Sequence, residues 1–371
     1  MRLAPFKLER YFAQFEFSAP YLLCSSDCES MRLDDLLALE PDARERFDSL
    51  WLGYTESLGD PELRQAITRL YDHVGADQVL VHAGAEEAIF NFMNVALAPG
   101  DHVVVHAPYY QSLGAVADGI GAVVSQWRGD QSRAWELDLV ELERLLTPRT
   151  RVVAVNFPHN PTGYLPTLEF ARGLSALSDR HGFVVFSDEV YRGLELDSSD
   201  RLPAFADLNE RAVSLGVMSK TYGLAGLRIG WLVTRDDTLL GELASFKDYT
   251  TICNSAPSEF LATLALRNAG PVVERNLRII RDNLDRLDGF FFANEERFGW
   301  HRPKAGSVAF PALLEGKVDD FCADVVNEAG VLLLPGTLFG QEYNGSFRIG
   351  FGRKNLPDAL AKLEDHLRSS G

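Results

Sequence analysis

The stretch GVMSKTYGLAGLRIGW, Gly216 to Trp231, decides the reading of this chain. It sets a lysine, Lys220, directly after the apolar run AVSLGVM and before a glycine-rich turn. A lysine at the buried end of a strand is costly unless it is paired, neutral or in covalent use. Two upstream runs of the same kind also end in polar groups: RVVAVNFPHN leads to Asn160, and FVVFSDEVY to Asp188 and Tyr191. The three ends recur at roughly one strand–helix unit of about 30 residues. Ligands of open α/β sheets sit outside the carboxyl ends of the strands. An amide, a carboxylate, a phenol and an amine are therefore expected to line one crevice.

The surrounding chain keeps the same rhythm. Strands are expected at 102–107, 151–158, 183–188, 212–217 and 230–234, with a helix over 168–182. Runs of Val and Phe without alternation predict strands buried on both faces. That pattern implies an α/β fold of three α/β/α layers around a mainly parallel, mixed sheet. From about residue 258 the pattern changes to long amphipathic helices, followed by the strands SVAFPALL and VLLLPG and the closing helix LPDALAKLEDHLRSS. The expected division is a large domain of 36–257 and a smaller, discontinuous α+β domain of 1–35 and 258–371.

Composition narrows the partners. Lys and Arg number 36 against 53 Asp and Glu, a net charge of −17, which opposes nucleic acid and anionic membrane. No apolar run approaches the roughly 20 residues that span a bilayer, and the opening MRLAPFKLERYF lacks the apolar core of a secretion signal, so a cytoplasmic protein is expected. Cys24 and Cys28, spaced C-x3-C, suggest a metal corner but read as structural. His102 and His106 share one face of an expected central strand and read as core residues. Gly223, Gly226 and Gly230 do not make the spacing of a dinucleotide loop.

Lys, Asp, Tyr and Asn together suit one aromatic cofactor. An ε-amine forms an imine with an aldehyde, a carboxylate keeps a pyridine nitrogen protonated so that the ring withdraws electrons, and a phenol and an amide hold the ring oxygen. Those are the needs of pyridoxal 5′-phosphate (PLP). Its phosphate requires donors, and HAGAEEAIFNFMNVAL supplies a strand end, a turn at Gly84 and a helix start that presents the amides of Ala85 and Glu86. Ser219 and Arg228 add a hydroxyl and a guanidinium.

Over roughly residues 50 to 355 the chain resembles the class I/II aminotransferases of fold type I. The carriers of the resemblance are HNPTG at 159–163, SDEVY at 187–191 and SKTYGLAGLRIGW at 219–231. It implies that Lys220 makes the imine and moves the proton at the substrate Cα, and that Asp188 pairs with the pyridine nitrogen. Tyr191 and Asn160 would bond the ring oxygen, and Ser219, Arg228, Ala85 and Glu86 would hold the phosphate. Tyr110, in APYYQS, matches the aromatic that stacks on the ring. Arg348, in SFRIGFGR, matches the clamp for the substrate α-carboxylate. Tyr54 resembles the tyrosine that reaches the neighbouring subunit's phosphate, which implies a homodimer with shared sites. The implied substrates are an amino acid and a 2-oxo acid.

Three positions depart from the family pattern. Val217 stands where many members carry a hydroxyl, His159 precedes the Asn-Pro-Thr-Gly motif as readily in the carbon–sulfur lyase branch as in transaminases, and FSAPYLLCSSDCES matches no family pattern. Transamination is the expected reaction. Elimination or cyclisation from the same start, and a non-catalytic binding protein on this fold, stand as alternatives.

Overall fold

The computed structural model describes residues 1–369. Seven strands form the central sheet: β1 (Val79–His82), β2 (His102–Ala107), β3 (Val123–Arg128), β4 (Thr150–Asn156), β5 (Val184–Asp188), β6 (Val213–Val217) and β7 (Gly230–Thr234). Their spatial order is β1-β7-β6-β5-β4-β2-β3. β7 is antiparallel to β1 and to β6, and the other pairings are parallel.

β-branched residues fill both faces of these strands, as a sheet covered on two sides requires. Val103 and Val105 of β2 enter one apolar core with helices α1 (Ala85–Ala96) and α2 (Ser112–Ile120). Val104, between them, enters a second core with α3 (Leu168–His181) on the other face. β1 and β3 lie beyond the five strands expected. β3 is a sheet edge whose VVSQWR is mostly half-buried, with only its two ends exposed, so it lacks the apolar run of its neighbours.

Helix α4 (Ala256–Arg267) packs Leu261, Ala262 and Leu264 in a third core with Val79, Val81 and Trp231, so the first helix past residue 257 lies on the large sheet. The 25-residue α5 (Ala269–Ala293) follows, burying Leu277, Ile280, Leu284, Leu287 and Phe291 at helical spacing. α6 (Leu356–Ser369) adds Leu360, Leu363 and Leu367 to the same core. Beside these helices lies an antiparallel sheet in which Phe347–Gly350 runs between Val308–Ala309 and Leu334–Pro335. The N-terminal segment joins this part of the chain, with Tyr21–Leu22 pairing in parallel with Val331–Leu332. Among the described residues, no helix is long and apolar enough to cross a membrane, and no cluster of His, Cys, Asp or Glu could hold a metal.

Candidate active site

Strand register brings the polar groups together. Asn156 at the end of β4 pairs with Asp188 at the end of β5, Val217 at the end of β6 pairs with Gly230, and Gly230 pairs with His82 at the end of β1. Five strand termini thus open on one side of the sheet. A cavity of about 360 Å³ there is lined by Ala85, Glu86, Tyr110, Asn160, Asp188, Tyr191, Ser219, Lys220, Arg228 and Arg348. Every expected site residue except Tyr54 reaches it.

The loop after β6 folds back on itself. The Met218 amide donates to Ile229 O at 2.9 Å and the Leu224 amide to Met218 O at 2.9 Å, which holds Lys220 at the cavity wall. Gly223 has φ +67°, and a Cβ there would stand 2.7 Å from Glu29 O, so only glycine admits the N-terminal segment. Lys220 Nζ donates to Ser26 Oγ at 2.8 Å. Burial lowers its amine from the ordinary lysine value, partly offset by Asp27, as a nucleophilic amine requires.

Asp188 is buried. Burial pushes its carboxyl up to about 7, against the opposing pull of the Val190 amide and of Lys220. A buried carboxyl so placed is suited to a cationic or N–H partner inside the cavity, which a pyridine ring supplies. Asn156 ties the two neighbouring strand ends: its Nδ2 donates to Asp188 O at 2.8 Å and its Oδ1 accepts from the Asn160 amide at 2.7 Å. Tyr191 donates its hydroxyl to Ser26 O at 3.0 Å.

The phosphate cradle also fits its expected occupant. Gly84, φ +97°, precedes α1, and a Cβ on it would stand 2.7 Å from the Arg228 guanidinium. Arg228 itself is exposed, and its backbone is left-handed at φ 51°. A free helix N-terminus with a guanidinium drawn over it suits an anion. Val217 lines the same cavity, so one position that often carries a hydroxyl donor presents an isopropyl group here.

Arg348 is the buried cation of the site, 1% exposed. Its Nε and one terminal nitrogen donate to Cys24 O at 3.1 and 2.8 Å, and the other terminal nitrogen donates to Asn160 Oδ1 at 3.2 Å. Both acceptors are neutral, so the charge is hydrogen-bonded without being neutralised, an arrangement suited to a carboxylate ligand.

The N-terminal segment, expected in the small domain but matching no family pattern, lines the cavity. Leu8, Glu9, Phe12 and Glu16 from the helix Lys7–Phe15 and its end join Ser25, Ser26 and Asp27 in the lining, and the Phe6 ring lies 5.1 Å from that of Tyr110. The only local sign of this role was a run of small polar residues, SSD, with no period. Cys24 and Cys28 are buried free thiols, and Cys24 serves through its backbone carbonyl. His102 is satisfied by Thr150 Oγ1 at 2.7 Å and Ser125 Oγ at 2.9 Å, whereas His106 is buried and stacks on His159 at 3.6 Å. Tyr54 lies outside the cavity, 88% exposed.

The model of the family described as aminotransferase class I and II matches residues 21–363. Capreomycidine synthase of Streptomyces vinaceus is 32% identical over 97% of this chain and 93% of its own. A PLP-dependent aminotransferase from Streptococcus suis superposes with a TM-score of 0.93 at 30% identity, covering 100% of this chain and 99% of its own. The PLP-dependent cyclase OrfR superposes at 0.90 and 31%, with the same coverage. The chain belongs to the class I and II aminotransferase family, whose members use pyridoxal 5′-phosphate.

Proposed function

We propose that this PLP-dependent aminotransferase uses Lys220 to hold its cofactor and to move the proton at the substrate Cα, passing an amino group from an amino acid to a 2-oxo acid. The observation that carries the reading is the convergence of Lys220, Asp188, Asn160, Tyr191 and Arg348 on one cavity at the strand ends. Bound PLP supplies an electron-withdrawing ring that makes the Cα–H bond acidic. Asp188 keeps the pyridine nitrogen protonated, Asn160 and Tyr191 hold the ring oxygen, and Tyr110 stacks on the ring. Ser219, Arg228 and the amides of Ala85 and Glu86 hold the phosphate. Arg348 fixes the α-carboxylate so that the same hydrogen is always presented to Lys220. The proposed scaffold is a large domain of 36–257 with a small one of 1–35 and 258–371, in a homodimer to which Tyr54 contributes.

The cavity charge narrows the donor. Its cations are Lys220, Arg228, Arg348 and Arg353, and Arg353 is held by Asp27 through two hydrogen bonds of 2.8 and 2.9 Å. Glu9 and Glu16 add negative charge at the mouth. A side-chain carboxylate would meet no free cation, so the reading favours amino acids with uncharged or cationic side chains over dicarboxylic ones.

A second reading, cyclisation of the amino acid, is favoured by the similarity to a PLP-dependent cyclase at 31% identity. Both reactions begin with loss of the Cα proton. Single amino acids added to the PLP-loaded protein separate them. Transamination converts the cofactor stoichiometrically to its amine form and needs a 2-oxo acid for turnover. Turnover without any oxo acid and with no keto acid formed establishes the second reading instead.

A further inference from the structure

We propose that Ser26, from the N-terminal segment, is a positioning residue for Lys220: its hydroxyl holds the lysine amine in line for both bond formation and proton transfer.

The inference rests on the reading of Lys220 given above. The Lys220 Nζ to Ser26 Oγ distance is 2.8 Å. A hydroxyl suits an amine that changes charge during turnover, because its oxygen accepts an N–H from the ammonium and its O–H turns to donate to the lone pair of the neutral amine. A carboxylate would serve only the charged form, and an amide N–H only the neutral one.

Ser26 is itself fixed. Its carbonyl accepts from Ser307 Oγ at 2.9 Å and, until the cofactor's ring oxygen takes that phenol, from the Tyr191 hydroxyl at 3.0 Å. On either side the segment is bound to the strand Phe347–Gly350 and the turn that follows it. Gly350 N donates to Leu23 O at 2.8 Å, Glu29 N donates to Gly352 O at 2.8 Å, and Arg353 grips Asp27. The backbone beneath the hydroxyl is thus anchored by three separate parts of the chain. A lysine side chain has four rotatable bonds and loses about 2 kcal/mol of rotamer entropy when fixed, so a single rigid acceptor at its tip selects one rotamer. The same segment supplies the carbonyl of Cys24 to Arg348. Residues 24–26 therefore set the carboxylate clamp and the amine from one stretch of backbone.

Ser26→Ala and Ser26→Thr test this. The cofactor-free proteins are mixed with PLP while the absorbance of the lysine-linked form is followed, PLP affinity is measured at equilibrium, and loss of deuterium from a Cα-deuterated donor is timed in a single turnover. Ser26→Ala is expected to bind PLP within about threefold of the parent and to leave the donor KM equally unchanged, while bond formation and deuterium loss each slow about tenfold, the size of one hydrogen bond. Ser26→Thr should restore both rates to within about threefold. Parent-like rates in Ser26→Ala overturn the proposal. So does a Ser26→Thr protein as slow as Ser26→Ala, because the space and not the hydroxyl is then what matters. The underlying reading is tested separately by Lys220→Ala, in which survival of the lysine-linked absorbance refutes Lys220 whatever Ser26 does.

Discussion

Arg348 and Asn160 meet at 3.2 Å, guanidinium nitrogen to amide oxygen, across 188 positions of sequence. This contact links the expected carboxylate clamp to the group expected to hold the ring oxygen, and both are buried. Replacing Arg348 by Lys keeps a cation but loses the planar fork. Arg348→Lys should raise the KM for the amino donor about a hundredfold, in the range for breaking charge-assisted hydrogen bonds, with PLP affinity nearly unchanged. Steady-state kinetics alongside a PLP titration decide the matter. Equal losses in both would mean that Arg348 supports the fold and not the substrate.

Asp188 couples the site to pH. Its carboxyl sits at about 7 against an ordinary 3.8, so between about pH 4 and pH 7 the folded cofactor-free protein holds a proton that the unfolded chain has lost. Stability from this group is complete below pH 4 and falls as pH rises through 7, by about 1.4 kcal/mol for each tenfold difference in proton affinity between the folded and unfolded chain. Thermal melts of the cofactor-free protein from about pH 4 to 8 should therefore fall more steeply for the parent than for Asp188→Asn. Parallel curves would refute the buried-acid account. Loaded with PLP, the same variant should remove the Cα proton at least a hundredfold more slowly, as loss of a buried charge partner at the reacting group does.

Gly84 is open to a direct steric test. A Cβ there would press on the Arg228 guanidinium at 2.7 Å, and its φ of +97° is strained for any other residue. Gly84→Ala should weaken PLP about tenfold or more through displacement of Arg228, and cost about 1–3 kcal/mol of stability. Inorganic phosphate should protect the parent against heat better than it protects the variant. Equal protection would place the phosphate elsewhere.

The parts of the site that were legible in sequence are those where one residue type does one thing at a strand end. Asp188, Asn160 and Lys220 follow mainly apolar runs, and a buried parallel sheet writes such runs plainly. β3 escaped because an edge strand need not be apolar on both faces, and VVSQWR is half polar. Ser26 escaped for a different reason. Its role depends on a pairing between Tyr21–Leu22 and Val331–Leu332, some 300 positions apart, and on glycine at 223, which local periodicity does not encode. α4 lies on the large sheet because Leu261 and Leu264 complete the face of Val81 and Trp231, a packing that helical periodicity alone does not encode.

Tyr54 lies outside the cavity of its own chain and is 88% exposed, and Trp51 and Leu52, close to it in sequence, are 80% and 77% exposed. Apolar residues left so open are a candidate contact surface, and in the proposed homodimer Tyr54 is expected to reach the partner's phosphate cradle. Sedimentation should then give a dimer. Tyr54→Phe should stay dimeric and bind PLP about five- to tenfold more weakly, the loss of one hydrogen bond to a charged group. Trp51→Glu should weaken the dimer itself and lower PLP affinity with it, and the two losses should be relieved together by raising protein concentration. A monomer that binds PLP as tightly as the assembled protein, or a Tyr54→Phe variant indistinguishable from the parent in affinity, would remove Tyr54 from the site and leave the phosphate to Ser219, Arg228 and the start of α1.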